Sequence, residues 1–138
     1  MNARRHPLRT QLRLWRRAVP ERPARFAATA VARRLARSYS VQRAGRLAVY
    51  LASDGELNLA PLLRTLRRMG KRLYLPVLHP HGGLRFVPWR AGSACVAGAF
   101  GITVPEFQTL PLPARALDGV LLPLVGFDRH GARLGRGG

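Results

Sequence analysis

Three of the six acidic residues in the chain lie in two short glycine-containing loops. The loop ASDGELN contains Asp54 and Glu56, and the loop GFDRHGARLGRGG contains Asp128 together with arginines and five glycines. Two facing carboxylates are what general acid–base catalysis requires, and open backbone N–H groups beside a guanidinium suit phosphate oxygens. Acids are also common in turns, so these residue types leave a structural and a chemical role open.

Other kinds of catalytic site have little support in the sequence. It contains no GxxxxGK[ST] phosphate loop and no nucleophile elbow with serine, histidine and aspartate at the usual spacing. His79 and His81 flank a proline, but no carboxylate or cysteine is near them in sequence, which disfavours a metal site. Cys95 is the single cysteine, so it forms no internal disulfide and is expected to have no chemical role.

The net charge of +18 favours an anionic partner, such as nucleic acid, anionic lipid or a polyanionic small molecule. All but one of the basic residues are arginine, and alanine, glycine, proline and leucine are also abundant. This composition is typical of a GC-rich coding bias. The sequence therefore allows both a functional and a neutral origin of the charge.

The length and composition predict one cytoplasmic domain over residues 1–138. The chain is long enough for one sizeable core and short for two ordinary domains. No apolar stretch approaches the roughly 20 residues that span a bilayer, and the first residues lack the apolar core of a secretory signal. We therefore expect neither a membrane span nor export.

The first 46 residues contain thirteen arginines and one acid, and they predict two helices separated by Pro20 and Pro23. The sequences of these helices are HPLRTQLRLWRR and ARFAATAVARRLARSY, and each has apolar residues at helical spacing. The expected apolar sides are Leu8, Leu12 and Trp15 in the first helix, and Phe26, Ala30 or Val31, and Leu35 in the second.

An arginine-rich amphipathic start also resembles a mitochondrial transit peptide or a nucleic-acid-binding arm. The first thirty residues contain no serine, which disfavours the transit peptide. The arginines are not regularly interleaved with aromatic residues that stack on bases, which disfavours the arm. Both alternatives stay open on the sequence alone.

From residue 46 onward the pattern predicts alternating strands and helices. Strands are expected at RLAVYL and KRLYLP, with a helix between them that Asn58 caps and Gly70 ends. Further strands are expected at GGLRFVPW, after the turn HPHGG, and at GVLLPLV, whose continuous apolar run predicts burial. These elements predict an α/β fold with a mostly parallel sheet. The ligand site should lie beyond the carboxyl ends of its strands, where both acidic loops begin.

Three stretches resemble one known family: VYLASDGELNLAPLLRTLRRMGKRLYLPVLHP, FGITVPE and LLPLVGFDRHGARLGRGG. They are similar to the 5-formyltetrahydrofolate cyclo-ligases, also called 5,10-methenyltetrahydrofolate synthetases, and the resemblance covers essentially the whole chain. The last stretch is the most specific, because it resembles the family signature FDxxGxRLGxGGGYYDR as far as its second consecutive glycine.

The resemblance implies a cytoplasmic, monomeric enzyme of one-carbon metabolism with a three-layer α/β/α sandwich fold. Its substrate would be 5-formyltetrahydrofolate, its product 5,10-methenyltetrahydrofolate, its co-substrate ATP and its metal Mg²⁺. In the family's chemistry, ATP phosphorylates the formyl oxygen, N10 of the folate attacks the activated carbon, and phosphate leaves. Catalysis is then positioning and charge stabilisation, without a protein nucleophile.

The resemblance also assigns site residues. ATP binding falls on the first predicted helix and on the last glycine-rich stretch: Arg5, Leu8, Arg9, Arg133, Leu134, Gly135, Arg136, Gly137 and Gly138. Folate binding falls on residues of three segments: Arg9, Leu51, Glu56, Arg136, Gly137 and Gly138. Glu56 is expected to accept hydrogen bonds from N–H groups of the pterin ring.

The family signature continues, after the position of Gly138, with a third glycine, two tyrosines and a metal-ligating aspartate. A closing strand and helix follow them. We therefore expect an incomplete cyclo-ligase domain that lacks the C-terminal strand, helix and metal ligand and turns over substrate poorly. Two alternatives stay open: a basic nucleic-acid-binding domain, whose affinity would be spread over many arginines and fall steeply with salt, and a folate-binding remnant without catalysis.

Overall fold

The computed structural model describes residues 5–106 and 108–135, and these residues form four α-helices and eight short strands. The helices are α1 (Arg5–Arg17), α2 (Glu21–Arg37), α3 (Tyr39–Arg43) and α4 (Ala60–Arg68). The strands are β1 (Arg46–Ala48), β2 (Arg72–Leu78), β3 (Leu84–Pro88), β4 (Cys95–Ala97), β5 (Thr103–Pro105), β6 (Gly119–Val120), β7 (Gly126–Phe127) and β8 (Arg133–Leu134). Two 3₁₀ turns lie at Ala99–Gly101 and Ala114–Ala116. Within this part of the chain, no helix is both long enough and apolar enough to cross a membrane.

Four strands form the main sheet in the order β3-β2-β1-β6. Strand β1 pairs in parallel with β2 and with β6, whereas β3 runs antiparallel to β2 after a turn that contains two glycines of positive φ. The strand pairs β4–β5 and β7–β8 form two separate ribbons. The predicted α/β fold, with a mostly parallel sheet after two N-terminal helices, is confirmed.

The main hydrophobic core lies between the sheet and helices α2, α3 and α4. Leu47 of β1 and Leu75 of β2 are on the helical side of the sheet, and both are buried together with Leu62 and Leu66 of α4. Because side chains alternate along a strand, the residues between them face the other side. The pattern of buried residues therefore fixes which side of β1 and β2 carries the helices.

The opposite side of the sheet is covered by the segment that contains the second 3₁₀ turn. There Ala48, Tyr74 and Phe86 pack against Leu112 and Leu117. Phe86 and Leu112 also exchange backbone hydrogen bonds, with N···O distances of 2.8 and 2.7 Å. The described residues thus supply a helical layer, a sheet and a covering segment in the position of the third layer of the expected sandwich.

The side of α1 that faces the protein differs from the predicted apolar side. Leu8 and Trp15 are 47% and 61% exposed, and of the three predicted residues Leu12 alone is partly buried, together with Arg13 and Arg16. The prediction was wrong because it considered apolar residues alone. The inner side of α1 is defined instead by arginines that pair with an acidic loop.

Helix α2 packs through small residues rather than through the predicted phenylalanine. Ala28 and Ala32 are buried and Leu35 packs against the core, as predicted for Leu35, but Phe26 is 78% exposed. The alanines allow α2 to lie close to α4, against which it packs. The prediction for Phe26 was wrong because close packing of two helices favours small side chains over the largest apolar one.

The run GVLLPLV is not the buried strand that its continuous apolar character predicts. Within it, strand pairing with β1 is confined to Gly119–Val120, and Leu122 is 60% exposed. Pro123 has no N–H to donate to a sheet, and β6 lies at the edge of the sheet. The following loop instead contains the ribbon β7–β8, which the glycine pattern did not predict.

Helix α4 is bounded by the two predicted residues, but it is shorter than predicted. Asn58 Oδ1 accepts a hydrogen bond from the N–H of Ala60 at 2.9 Å, although the N-cap position itself is Leu59. Gly70 follows the helix with φ +76°, in the left-handed region that glycine adopts without strain. Asn58 and Gly70 therefore both contribute to the ends of α4, although Asn58 lies one residue before the N-cap.

We expect Leu66→Ala to lower the free energy of unfolding by about 2–5 kcal/mol, because Leu66 is 0% exposed and its removal leaves a cavity under α4. Urea unfolding followed by circular dichroism measures this loss. Leu122→Ala removes the same atoms at an exposed position and should change the free energy by less than about 0.5 kcal/mol. Equal losses in the two variants would contradict this assignment of the core.

Candidate functional site

Two loops meet at one end of the main sheet. Residues 52–58 follow β1 at its carboxyl end, and residues 121–125 follow β6, which runs parallel to β1. A cavity of about 430 Å³ is lined by Tyr50, Glu56 and Leu57 together with residues 122–127. This is the end of the sheet at which the α/β pattern predicts a ligand site.

A larger groove of about 770 Å³ adjoins this cavity and shares Glu56, Leu57 and Leu124 with it. Its other walls come from the end of α1, the first half of α2 and the start of α4. Both volumes lie in the range of about 300–1,000 Å³ that is usual for small-molecule sites. Glu56 therefore lies at the junction of two ligand-sized spaces.

A tight turn at residues 53–56 fixes the side chain of Glu56. The N–H of Glu56 donates to the carbonyl oxygen of Ser53 at 3.0 Å, and the N–H of Ser53 donates to Glu56 Oε2 at 3.1 Å. Asp54 and Gly55 have φ angles of 54° and 72°, a region that aspartate tolerates better than most residues and that glycine adopts freely. The residue types of the DGE stretch are therefore those that this turn needs.

Tyr50 lines the cavity beside Glu56. Its hydroxyl donates to the carbonyl oxygen of Leu57 at 3.0 Å. Burial raises the pKa of Tyr50, and the negative charge of Glu56 raises it further, while the positive charge of Arg16 lowers it. Tyr50 is therefore a neutral hydroxyl at neutral pH, and Glu56 supplies carboxylate oxygens to a partly buried wall. Such a wall suits a ligand with N–H donors.

Helix α1 lies against both loops, and two glycines permit the close approach. A Cβ atom on Gly55 would lie 3.2 Å from the carbonyl oxygen of Arg16 and from the Cα atom of Arg17. A Cβ atom on Gly126 would lie 2.8 Å from Leu12 Cδ1. Any side chain at Gly55 would press on the backbone of α1, which has little freedom to move aside.

Asp54 binds α1 through three arginines. Arg16 donates from Nη2 to Asp54 Oδ2 at 3.1 Å and from Nε to the backbone oxygen of Asp54 at 3.0 Å. Arg17 Nε donates to Asp54 Oδ1, and Arg13 Nε lies 3.8 Å from Oδ2. The hydrogen bond from Arg17, followed by the positive charges of the arginines, holds the pKa of Asp54 below its usual value. Asp54 is therefore an arginine-bound anion and not a proton donor.

Arg9 connects α1 to the end of the β7–β8 ribbon. Its Nε donates to the carbonyl oxygen of Gly135 at 3.1 Å, between residues 126 positions apart. Within the ribbon, Asp128 Oδ1 accepts two backbone N–H groups of the turn at 2.8 and 2.9 Å. Asp128 therefore has a structural role, and among the three loop acids Glu56 is the one that lines the 430 Å³ cavity.

The other residues assigned by resemblance lie around this arrangement. Leu51 is partly buried against the core and lines a shallow groove along residues 51–58. Leu8 is on the exposed side of α1, and Arg133 and Leu134 form β8. Of the residues assigned by resemblance, the side chain of Arg5 and the whole of Arg136, Gly137 and Gly138 lie outside the described part of the chain. Residues 5–106 and 108–135 contain no group of three metal-ligating side chains.

Sequence reasoning missed the arginine cluster and Tyr50. Arg13, Arg16 and Arg17 recur at the three- and four-residue spacing that places side chains on one side of a helix. Because the chain has six acidic residues, ion pairs between this row of arginines and the loop aspartate could have been predicted from the sequence. For Tyr50 the available signal was its position directly before the acidic loop.

The fold and the cleft together define a class: an α/β protein with a carboxylate-lined cavity at the edge of its sheet and an arginine-rich helix across its loops. The sequence model of the 5-formyltetrahydrofolate cyclo-ligase family matches residues 1–138. The chain belongs to this family.

Bacterial relatives carry the same family name. The chain is 45% identical to the 5-formyltetrahydrofolate cyclo-ligase of Escherichia coli (strain K12) over 101 residues, which cover 71% of this chain and 56% of that protein. It is 32% identical to the Haemophilus influenzae protein of the same name over 138 residues, covering 98% of this chain and 74% of the relative. The chain thus spans little more than half the length of the E. coli relative.

Two solved structures share the fold. The NMR structure of Aquifex aeolicus 5,10-methenyltetrahydrofolate synthetase matches with a TM-score of 0.84 and 25% identity, over 97% of this chain and 68% of that one. The Mycoplasma pneumoniae 5,10-methenyltetrahydrofolate synthetase matches with a TM-score of 0.73 and 18% identity, over 96% of this chain and 71% of that one. The second likeness concerns the fold alone.

We expect Gly55→Ala to loosen helix α1, because the new Cβ atom would press on the backbone of Arg16 and Arg17. Gly70→Ala is the matched control: its φ of +76° is close to the +72° of Gly55, but nothing lies within 4 Å of a Cβ atom there. Amide hydrogen exchange in α1 should become about tenfold faster in Gly55→Ala and stay unchanged in Gly70→Ala. The same α1 exchange rate in both variants would argue against the close contact.

Proposed function

We propose that this protein acts as a 5-formyltetrahydrofolate cyclo-ligase, converting 5-formyltetrahydrofolate to 5,10-methenyltetrahydrofolate while ATP becomes ADP and phosphate. One observation carries the proposal: Glu56, on which the resemblance places the folate-binding glutamate of the family's GEL loop, lines two adjoining ligand-sized spaces. The 45% identity to the E. coli cyclo-ligase over 101 residues supports the same reaction.

In this proposal, the folate ring binds beside Glu56. The carboxylate is held by the N–H of Ser53 and lies in a partly buried wall, where it would accept hydrogen bonds from adjacent N–H groups of the pterin. Leu57 and Leu124 border both spaces and provide apolar surface for the flat ring system. Leu51 would support the loop from the core side.

ATP would bind across α1 from the folate, next to the ribbon β7–β8. The contact between Arg9 and Gly135 brings one guanidinium to this ribbon, and Arg133 is exposed on β8. Leu134 and Gly135 begin the glycine-rich stretch whose phosphate-binding residues, by resemblance, extend to Arg136, Gly137 and Gly138. Guanidinium groups and backbone N–H groups would position the terminal phosphate and offset its charge as the formyl oxygen approaches.

The resemblance also implies Mg²⁺, and the described residues do not fit a resident site for it. Asp54 is bound by arginines, and no group of three ligating side chains occurs in the described ranges. No step of the proposed reaction is therefore assigned to a metal held by these residues. By the same resemblance, we propose a cytoplasmic, monomeric enzyme that acts on a small-molecule substrate.

We expect Glu56→Gln to weaken binding of 5-formyltetrahydrofolate by about 1–3 kcal/mol, because an amide N–H₂ would replace one acceptor opposite the ring N–H groups. Isothermal titration calorimetry measures the affinity. Glu106→Gln removes the same charge from an exposed position after β5 and should leave the affinity unchanged. Equal affinities of Glu56→Gln and the unaltered protein would remove Glu56 from the folate site.

The reaction itself is tested by the absorbance of 5,10-methenyltetrahydrofolate formed from 5-formyltetrahydrofolate, ATP and Mg²⁺. The 138-residue chain is assayed alone and after extension by the C-terminal segment of the H. influenzae relative. Turnover in the extended chain that requires both ATP and Glu56 supports the proposal. A folded chain that neither binds folate nor turns it over when extended would contradict the proposal.

A further inference from the structure

We propose that Asp54 is a positioning residue, whose carboxylate holds helix α1 across the cleft and thereby places Arg9 beside Gly135. The part of this inference that concerns ATP rests on the function proposed above. The part that concerns the docking of α1 does not depend on any ligand. Neither the resemblance nor the family membership assigns a role to Asp54.

Several positive charges of α1 converge on one side chain. Three guanidinium groups, those of Arg13, Arg16 and Arg17, lie within ion-pair distance of the Asp54 carboxylate. The Asp54 side chain is 21% exposed and that of Arg16 13% exposed, so this pair is only partly screened by water. A network of this kind stabilises more than an isolated surface pair does.

Helix α1 has only a small apolar contact with the rest of the protein. Leu12 is partly buried and meets Gly126, but Leu8, Leu14 and Trp15 are 47%, 57% and 61% exposed. The apolar surface that α1 buries is therefore modest for a helix of 13 residues. The arginine contacts with Asp54 are then a large share of what fixes the helix in place.

One continuous helix links the residues that contact Asp54 to Arg9. Arg9 and Arg13 are four residues apart and so lie on the same side of α1, as do Arg13 and Arg16. At about 1.5 Å per residue, roughly 10 Å separates Arg9 from Arg16 along the helix axis. Movement of α1 at the Asp54 end is therefore transmitted to the hydrogen bond between Arg9 and Gly135.

Asp54→Asn is a suitable variant because it removes the charge and keeps the shape. The φ of Asp54 is 54°, and asparagine tolerates this left-handed conformation as well as aspartate does. Asp118→Asn is the matched control. Asp118 also has its pKa lowered, by hydrogen bonds from the N–H groups of Arg46 and Gly45, but it lies directly before β6 and ties it to the start of β1.

The docking is measured by amide hydrogen exchange of the intact chain. In Asp54→Asn, exchange in α1 should become at least about fivefold faster, while exchange in α4 and β2 stays unchanged. In Asp118→Asn, any change should affect the core elements as much as α1. Unchanged exchange in α1 of Asp54→Asn would overturn the inference. If Asp54→Asn does not fold, Arg17→Gln removes one of the three arginine partners, at an exposed position, and is judged by the same criterion.

The link to Arg9 is measured by MgATP affinity in a double-mutant cycle. Asp54→Asn and Arg9→Gln should each weaken MgATP binding by about fivefold to tenfold, and the double variant should resemble Arg9→Gln alone. If Asp54→Asn acted through a loss of general stability, it would weaken MgATP binding by the same factor in the chain with Arg9 and in the chain with Arg9→Gln. That result would overturn the positioning role. If the chain binds neither MgATP nor 5-formyltetrahydrofolate, alone or extended as above, the proposed function fails, and the exchange of α1 still decides whether Asp54 docks the helix.

Discussion

The Asp54 carboxylate faces three guanidinium groups of α1, and Gly55, the next residue, leaves the space that the backbone of α1 occupies. The same short turn therefore supplies both the charge and the clearance for the helix. It also fixes Glu56 through Ser53, so the wall of the cavity and the helix across it depend on one stretch of chain. The tight turn at residues 53–56 therefore determines much of the shape of the cleft.

Two of the six acids in this basic chain, Asp54 and Asp118, tie distant segments together. Asp118 accepts the N–H groups of Gly45 and Arg46, both at 2.8 Å, and so joins the start of β1 to the edge strand β6. Asp128 closes the β7–β8 turn. Basic side chains outnumber carboxylates by 24 to 6 in this chain. Asp54 and Asp118 therefore each hold two parts of the chain together, whereas Asp128 holds a single turn.

The fold class, the order of the main elements and the acidic loop could be predicted because each has a local cause. Turn residues, a βαβ pattern and the position of Glu56 after a strand are readable in sequence. The buried sides of α1 and α2 could not be read in the same way. Leu12 is partly buried and Trp15 is exposed, because the side of α1 that carries Arg13 and Arg16 pairs with Asp54, and α2 buries alanines because α4 lies close by. Which side of a helix is buried depends on the element that packs against it, and the sequence of the helix alone does not specify that element.

The hydrogen bond between Arg9 and Gly135 joins residues 126 positions apart, and it has a consequence for synthesis on the ribosome. At roughly 5–20 residues per second, about 6–25 s separate the two residues as the chain is made. Helix α1 can meet Asp54 early in that interval, but its contacts with Gly126 and Gly135 have to wait for the late segment. During this interval the nascent chain carries a basic amphipathic helix that is only half docked. The docking of α1 is therefore completed only after the last described residues have been made.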